Sequence, residues 1–265
     1  MKKIRKTYIY RQRLAHFSKK SDQCSHWDEH WSTIDIAKEY SWADNGALGV
    51  FKPAFLHYLP KEGLILEAGC GYGKIVRALL HYGYQVIGID FALQTLSAAK
   101  KIWDEAPFVG CDIRHLPIAR KTIKAVLLLG VIEHFEDPWV VLQDSVRVLC
   151  DGGLLYLVVP FQNWIRRRYM LRRVYPSRDC EVDFDQFIFT PEEINKNLSG
   201  YGFKVLTQFS TSGYSGFVES YPKFDEWFRK LPYANHLINL TNRSRWLGRI
   251  FGHVIHTVAC KCPNE

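Results

Sequence analysis

A chain of 265 residues can bury one sizeable core with insertions, and nothing in its length calls for a second domain. The longest apolar run, Ala125 to Ile132, falls far short of the roughly 20 residues that span a bilayer, and the basic N-terminus leads into no apolar h-region, so neither a transmembrane helix nor a signal peptide is expected. The formal charge of +8 is concentrated in residues 1–20, where Lys2, Lys3, Arg5, Lys6, Arg11, Arg13, Lys19 and Lys20 meet no acid, while the remaining chain holds 27 basic and 27 acidic residues.

Such an arm reads as a solvated terminus, with nucleic acid or an anionic membrane surface as its alternative partners. Residues 1–60 are expected to combine this arm with a helical cap, because Trp27, Trp31, Ile34, Ile36 and Tyr40 recur with partly helical spacing. A second helix, about Val50 to Tyr58, ends near Pro60. From residue 61 onward the hydrophobic period switches repeatedly between strand and helix, which predicts a parallel sheet with helices on both faces. The seven cysteines, an odd number scattered from Cys24 to Cys262, read as free thiols of a reducing, cytoplasmic compartment. Cys260-x-Cys262 has the wrong spacing for a zinc pair, so no structural metal is expected.

The most informative stretch is Leu64-Ile65-Leu66-Glu67-Ala68-Gly69-Cys70-Gly71-Tyr72-Gly73-Lys74-Ile75, an apolar strand running through three alternating glycines into a helix. Glycine admits positive φ and leaves no Cβ in the way of a ligand approaching the helix amides. A dinucleotide turn would read G-x-G-x-x-G and draw a pyrophosphate to the helix N-terminus. Here the third glycine comes one position early, and Glu67 would oppose two phosphates but suits a ligand with a positive centre and an ammonium group. Asp90 ends the strand Gln85 to Asp90, nineteen residues after Gly71, close to the spacing at which an acid accepts hydrogen bonds from ribose hydroxyls. The alternative role for Asp90 is to cap the helix from Ala92 to Trp103. The short strand Phe108 to Gly110 leads to Cys111-Asp112-Ile113, and the fully apolar Ala125 to Leu129 is a central strand ending in Gly130-Val131-Ile132-Glu133-His134.

Glu-Ala-Gly-Cys-Gly-Tyr-Gly (67–73), with the later strand ends, resembles the first motif of class I S-adenosylmethionine-dependent methyltransferases, in the branch that methylates quinones, sugars and other small molecules. The resemblance runs from about residue 60 to 209 and takes in the last strand. It implies a Rossmann-like, doubly wound α/β fold with a seven-stranded, mostly parallel sheet, an antiparallel last strand and helical or aromatic cap insertions. It also implies S-adenosylmethionine as cofactor, held by Glu67, Gly69, Cys70, Gly71, Gly73, Asp90, Phe91, Asp112, Ile113, Gly130 and Val131. Asp112 and Ile113 would face the adenine, with an Asx turn as the plain alternative for Asp112. Trp27, Trp31, Tyr40 and Trp42 become candidate pocket walls. The Glu-His pair matches the family's fourth motif, with His134 as candidate general base and Glu133 as its partner, a purely structural role beside the cofactor being the alternative. Gly130 stands where metal-using relatives carry a further carboxylate, so a metal site is not expected.

Beyond Pro138 a helix runs to Leu149, Asp151-Gly152-Gly153 turns the chain, and the strand Leu154 to Val159 ends at Pro160. Two substrate-side insertions are expected in the methyltransferase domain (61–265), at about 161–189 and 211–252. The first carries Arg166, Arg167, Arg168, Arg172 and Arg173, suited to an anionic substrate, a lipid head group or RNA, or else a solvated helix face. Thr190-Pro191-Glu192-Glu193 opens a capped helix before the strand that starts at Gly202, and Val254 to Cys262 is the antiparallel last strand. The expected activity is methyl transfer to a small-molecule acceptor, an oxygen of a sugar, quinone-like or lipid-linked substrate. The alternatives are a nucleic-acid methyltransferase and a non-catalytic cofactor-binding module.

Overall fold

Short apolar strands punctuated by glycine, alternating with amphipathic helices, build two sheets, and the larger one carries the crevice. The computed structural model describes residues 6–19, 23–172, 174–175, 182–212, 214, 228–229 and 231–263. In chain order the strands are β1 (Lys6–Tyr10), β2 (Arg13–Lys19), β3 (Leu64–Ala68), β4 (Gln85–Asp90), β5 (Phe108–Gly110), β6 (Ile123–Leu129), β7 (Leu149–Pro160), β8 (Val182–Phe187), β9 (Phe203–Thr211) and β10 (Val254–Lys261). The helices are α1 (Gln23–Ser32), α2 (Ile36–Ala43), α3 (Lys52–Tyr58), α4 (Lys74–His81), α5 (Leu93–Ile102), α6 (Val140–Val148), α7 (Trp164–Leu171), α8 (Pro191–Gly200), α9 (Ala234–Arg243) and α10 (Arg245–Phe251). Among the described residues, 3-10 turns lie at Gly49–Phe51 and Ile132–His134.

The seven-stranded sheet has the order β5-β4-β3-β6-β7-β10-β9. Strands β3 to β7 pair in parallel, and β10 inserts antiparallel between β7 and β9. This is the Rossmann-like architecture expected from the alternation of periods. The pleat divides the core cleanly: Leu66, Val126, Leu128, Leu155 and Leu157 face one layer of helices, and Ile65, Ala125, Leu127, Leu154 and Tyr156 face the other.

Two local expectations are corrected. Asp151-Gly152-Gly153 does not end a helix ahead of a separate strand, because β7 already begins at Leu149. The register with β6 jumps from Ile123↔Leu149 to Ala125↔Leu154, so the glycines form a bulge inside a continuous strand. The basic arm, from Lys6 onward, is not a loose terminus. A tight turn with positive φ at Arg11 and Gln12 folds it into the β1–β2 hairpin, and β2 pairs with β8 to make a three-stranded antiparallel sheet. Its charge count hid an apolar face: Tyr8, Tyr10 and Phe17 pack ring to ring, with Phe184 and Phe187 of β8 against Tyr10. Arg11 bonds the Glu136 carboxylate at 2.8 Å, and Arg13 pairs with Glu193 while lying over the Phe187 ring. Glu193 thus serves the hairpin, while Thr190 alone caps α8 by accepting from the Glu193 amide.

Candidate active site

The carboxyl ends of β3, β4 and β6, the loop after β5 and strand β8 surround one cavity of about 820 Å³. The sequence fixes the first turn by sterics. Gly69, Gly71 and Gly73 all take positive φ. A Cβ on Gly69 would lie 2.5 Å from Val131 Cγ2, and one on Gly73 would run into the Phe108 ring. The turn is therefore glycine because the chain must pass between β5 and the end of β6 in a conformation that L side chains resist.

Of the proposed site residues, Glu67, Gly69, Cys70, Asp90, Phe91, Asp112, Ile113, Gly130, Val131 and His134 line the cavity, whereas Gly71, Gly73 and Glu133 stand behind it. Asp90 is buried, one oxygen accepting from the Gly71 amide at 2.7 Å and the other from the Ala92 amide at 2.9 Å, while α5 starts with Ala92 as its N-cap and no side-chain cap. A carboxylate offers about four acceptor sites, so both oxygens keep capacity for a ligand. Burial raises the Asp90 pKa against the pull of these amides. Glu67 accepts from the Val76 amide in the first turn of α4, which explains an acid at a strand end without any ligand, and burial pushes its carboxyl up to about 8. Asp112 closes an Asx turn on the Arg114 amide and holds the Arg114 guanidinium with both oxygens, and that hydrogen bonding keeps its pKa low.

His134 and Glu133 part company although adjacent. The His134 ring places Nδ1 at 2.8 Å from the Asp185 carbonyl oxygen. A carbonyl only accepts, so Nδ1 carries the proton and the neutral ring keeps its lone pair on Nε2. Trp27 packs edge-on against this ring at 4.7 Å. Glu133 is buried, its Oε2 has no hydrogen-bond partner, and burial with the nearby Asp185 carboxylate pushes its pKa up to about 8. No hydrogen bond joins Glu133 to His134 among the described residues, so the expected partnership is replaced by the Asp185 backbone.

The cap contributes Trp27 and Trp31 to the cavity, but not Tyr40 or Trp42. Tyr40 is buried and donates its hydroxyl to the Tyr72 carbonyl, whereas Trp42 is exposed under Lys38 and Lys74. Ser18 of the hairpin and Asp183, Phe184 and Asp185 of β8 also line the cavity, none of them anticipated. The alternating aromatics of residues 6–19 were the one available signal for this wall. The arginine run is split: Arg166 is buried and donates to the Phe161 and His253 carbonyls, while Arg167, Arg168 and Arg172 are exposed. Side chains at 173, 215–227 and 230 lie outside the described residues, and with them Phe217, Tyr221, Phe224 and Trp227 of the second insertion. Among the described residues, no helix is long and apolar enough to cross a membrane, and no cluster of three or more His, Cys, Asp or Glu is placed to hold a metal.

Glu133 makes a testable contribution to stability. Its folded pKa of about 8 lies above the ordinary 4.5, so between these values the unfolded chain releases a proton that the folded protein keeps. Stability therefore drains away as pH rises through that window. Glu133→Gln keeps the shape without the ionisation. Relative to the native chain it should gain on the order of 3 kcal/mol between pH 5 and pH 8, read from urea unfolding at the two pH values. An equal offset at both would refute the assignment.

Comparison with known proteins agrees with this geometry. A methyltransferase domain family matches residues 66–157. The ubiquinone biosynthesis O-methyltransferase of Rhodopseudomonas palustris (strain HaA2) is 28% identical over 181 residues, covering 62% of this chain and 64% of the relative. That of Bradyrhizobium sp. (strain ORS 278) is 30% identical over 166 residues, covering 58% and 63%. The chain thus spans slightly under two thirds of the length of these curated relatives. Among solved structures, an S-adenosylmethionine-dependent methyltransferase of Methanosarcina mazei aligns with a TM-score of 0.57 at 22% identity, covering 80% of this chain and 98% of that one. A Haloferax volcanii methyltransferase solved with its Trm112 activator aligns with a TM-score of 0.61 at 17% identity, covering 92% and 98%. The seven-stranded sheet is thus the fold of these solved methyltransferases, and residues 66–157 are similar to the methyltransferase domain family.

Proposed function

We propose that this protein transfers a methyl group from S-adenosylmethionine to an oxygen of a small-molecule acceptor with a quinone-like, sugar or lipid-linked skeleton. The observation that carries this reading is the convergence on one cavity of buried Asp90, the glycine turn and His134. The residues present fit the cofactor. Gly69 lines the cavity without a side chain, Asp90 keeps acceptor capacity for a diol, and Glu67 offers a buried carboxyl to an ammonium group. When bound, the cofactor supplies a methyl group already activated on a sulfonium centre. The chain is then left with binding, alignment and desolvation, and positioning reacting atoms within about 3 to 3.5 Å accounts for much of the acceleration.

On the acceptor side, Trp27, Phe135 and Phe184 supply apolar walls that favour a flat or prenylated acceptor and exclude water. His134, with its proton fixed on Nδ1, is placed to take the acceptor hydroxyl proton at Nε2. The ubiquinone-pathway relatives support an oxygen acceptor. The free thiols of Cys70, Cys111, Cys150, Cys260 and Cys262 support a reducing, cytoplasmic location. The test is calorimetric titration with S-adenosylhomocysteine, followed by methyl transfer from labelled cofactor to catechols, sugars and RNA in parallel. Saturable binding with label on a phenolic or sugar oxygen is expected. Binding without transfer to any acceptor class would refute the enzyme reading, and no binding by folded protein would refute the cofactor.

A further inference from the structure

The cavity leaves unused the surface made by α7, α9 and α10. Their inner faces are firmly anchored. Asn163 Nδ2 donates to the Gly252 carbonyl and Arg166 Nη1 to the His253 carbonyl, tying the start of α7 to the end of α10. Ser244 ends α9 and caps α10, the Asn242 carbonyl accepts from Ser212 beyond β9, and Gly248 sits so close to the Ser210 backbone that no side chain would fit between them.

The outer faces are apolar where solvent-facing helices are ordinarily polar. On α9 and its N-cap, Tyr233, Leu237 and Leu240 recur at i, i+4 and i+7 with exposures of 83%, 43% and 54%, while Ala234 is buried. Trp164 of α7 and Trp246 of α10 are 68% and 67% exposed, and Leu171 closes the α7 face. Arg167, Arg168, Arg172 and Arg249 are exposed on the same helices. Residues 161–178 and 227–261 each contain six Lys or Arg and no Asp or Glu, whereas the rest of the chain carries 23 basic and 27 acidic residues. Arg166 and Lys261 are turned inward onto carbonyls, so among the described residues the exposed charge includes that of Arg167, Arg168, Arg172 and Arg249.

We infer that this face docks the protein on an anionic lipid bilayer. Exposed tryptophan, tyrosine and leucine on amphipathic helices rimmed by arginine are the chemistry of an interfacial anchor, in which apolar side chains enter the headgroup boundary and guanidinium groups meet lipid phosphates. The charge argues for lipid rather than for a second copy of the chain, because two such faces would oppose each other without an acid between them. The exposed leucine stripe argues for lipid rather than RNA, whose phosphates have no use for it. Helix α7 starts four residues beyond Pro160, at the carboxyl end of β7 and the sheet edge that carries the cavity.

The full chain should be sedimented with vesicles of phosphatidylcholine alone and of phosphatidylcholine mixed with phosphatidylglycerol. Pelleting with the anionic vesicles only, weakened by added salt, is expected. Arg167→Glu with Arg168→Glu, and separately Leu237→Glu with Leu240→Glu, should each reduce partitioning about tenfold or more, with melting temperature and S-adenosylhomocysteine affinity unchanged. As a milder variant, Trp164→Ala with Trp246→Ala should abolish the quenching of tryptophan fluorescence by brominated acyl chains that is expected of the native chain. Failure to pellet, equal pelleting with neutral vesicles, or wild-type behaviour of either charge or leucine variant would overturn the proposal. So would salt-dependent RNA binding or self-association without vesicle binding.

Discussion

Replacing His134 by alanine is expected to lower kcat by about 10²- to 10⁴-fold while leaving S-adenosylhomocysteine affinity essentially unchanged. The 3-10 turn Ile132–His134 ends the crevice side of β6 and puts the ring on the cavity wall, with Nδ1 bonded to the Asp185 carbonyl. That contact fixes the tautomer through backbone alone. Asp185→Ala should accordingly keep the His134 orientation and much of its effect, whereas His134→Ala removes the Nε2 lone pair. The measurement is a pH–rate profile. In the native chain activity falls on the acid side as the lone pair is lost to protonation, and in His134→Ala that limb disappears. Unchanged kcat, or a loss of cofactor affinity that matches the loss of rate, would show that the ring supports the cofactor rather than the acceptor.

The same turn shows where a linear reading ends. Glu133-His134 is visible as a pair in the sequence, but a 3-10 turn sends successive side chains in different directions. Glu133 goes into the core and His134 to the cavity. The glycine turn, Asp90 and the parallel strands were legible because their constraints are local: a positive φ, a strand end, an uninterrupted apolar run. The β1–β2–β8 sheet was not. Its pairing joins Ala15 to Phe187 and Lys19 to Val182, across more than half the chain, and eight positive charges in the first twenty residues masked the aromatic alternation beneath. Arg166 shows the same blindness at one residue, since nothing in a row of arginines says which one will turn inward to hold two carbonyls.

Asp90→Ala is expected to weaken S-adenosylhomocysteine binding by about 10²- to 10⁴-fold, because hydrogen bonds to a charged group contribute about 1.5–3 kcal/mol each and a ribose diol would make two. The substitution also strands the Gly71 and Ala92 amides, each of which now donates to one Asp90 oxygen. Asn is no substitute, since its amide nitrogen would confront one of those two donors. Binding loss alone would therefore not separate a ribose contact from a collapsed turn. A cycle with an analogue lacking the ribose hydroxyls does so. If Asp90 holds the diol, the native chain binds the analogue as weakly as Asp90→Ala binds the full ligand, and combining both changes costs little more. If Asp90 only braces the turn, the two losses add, and the ribose assignment fails.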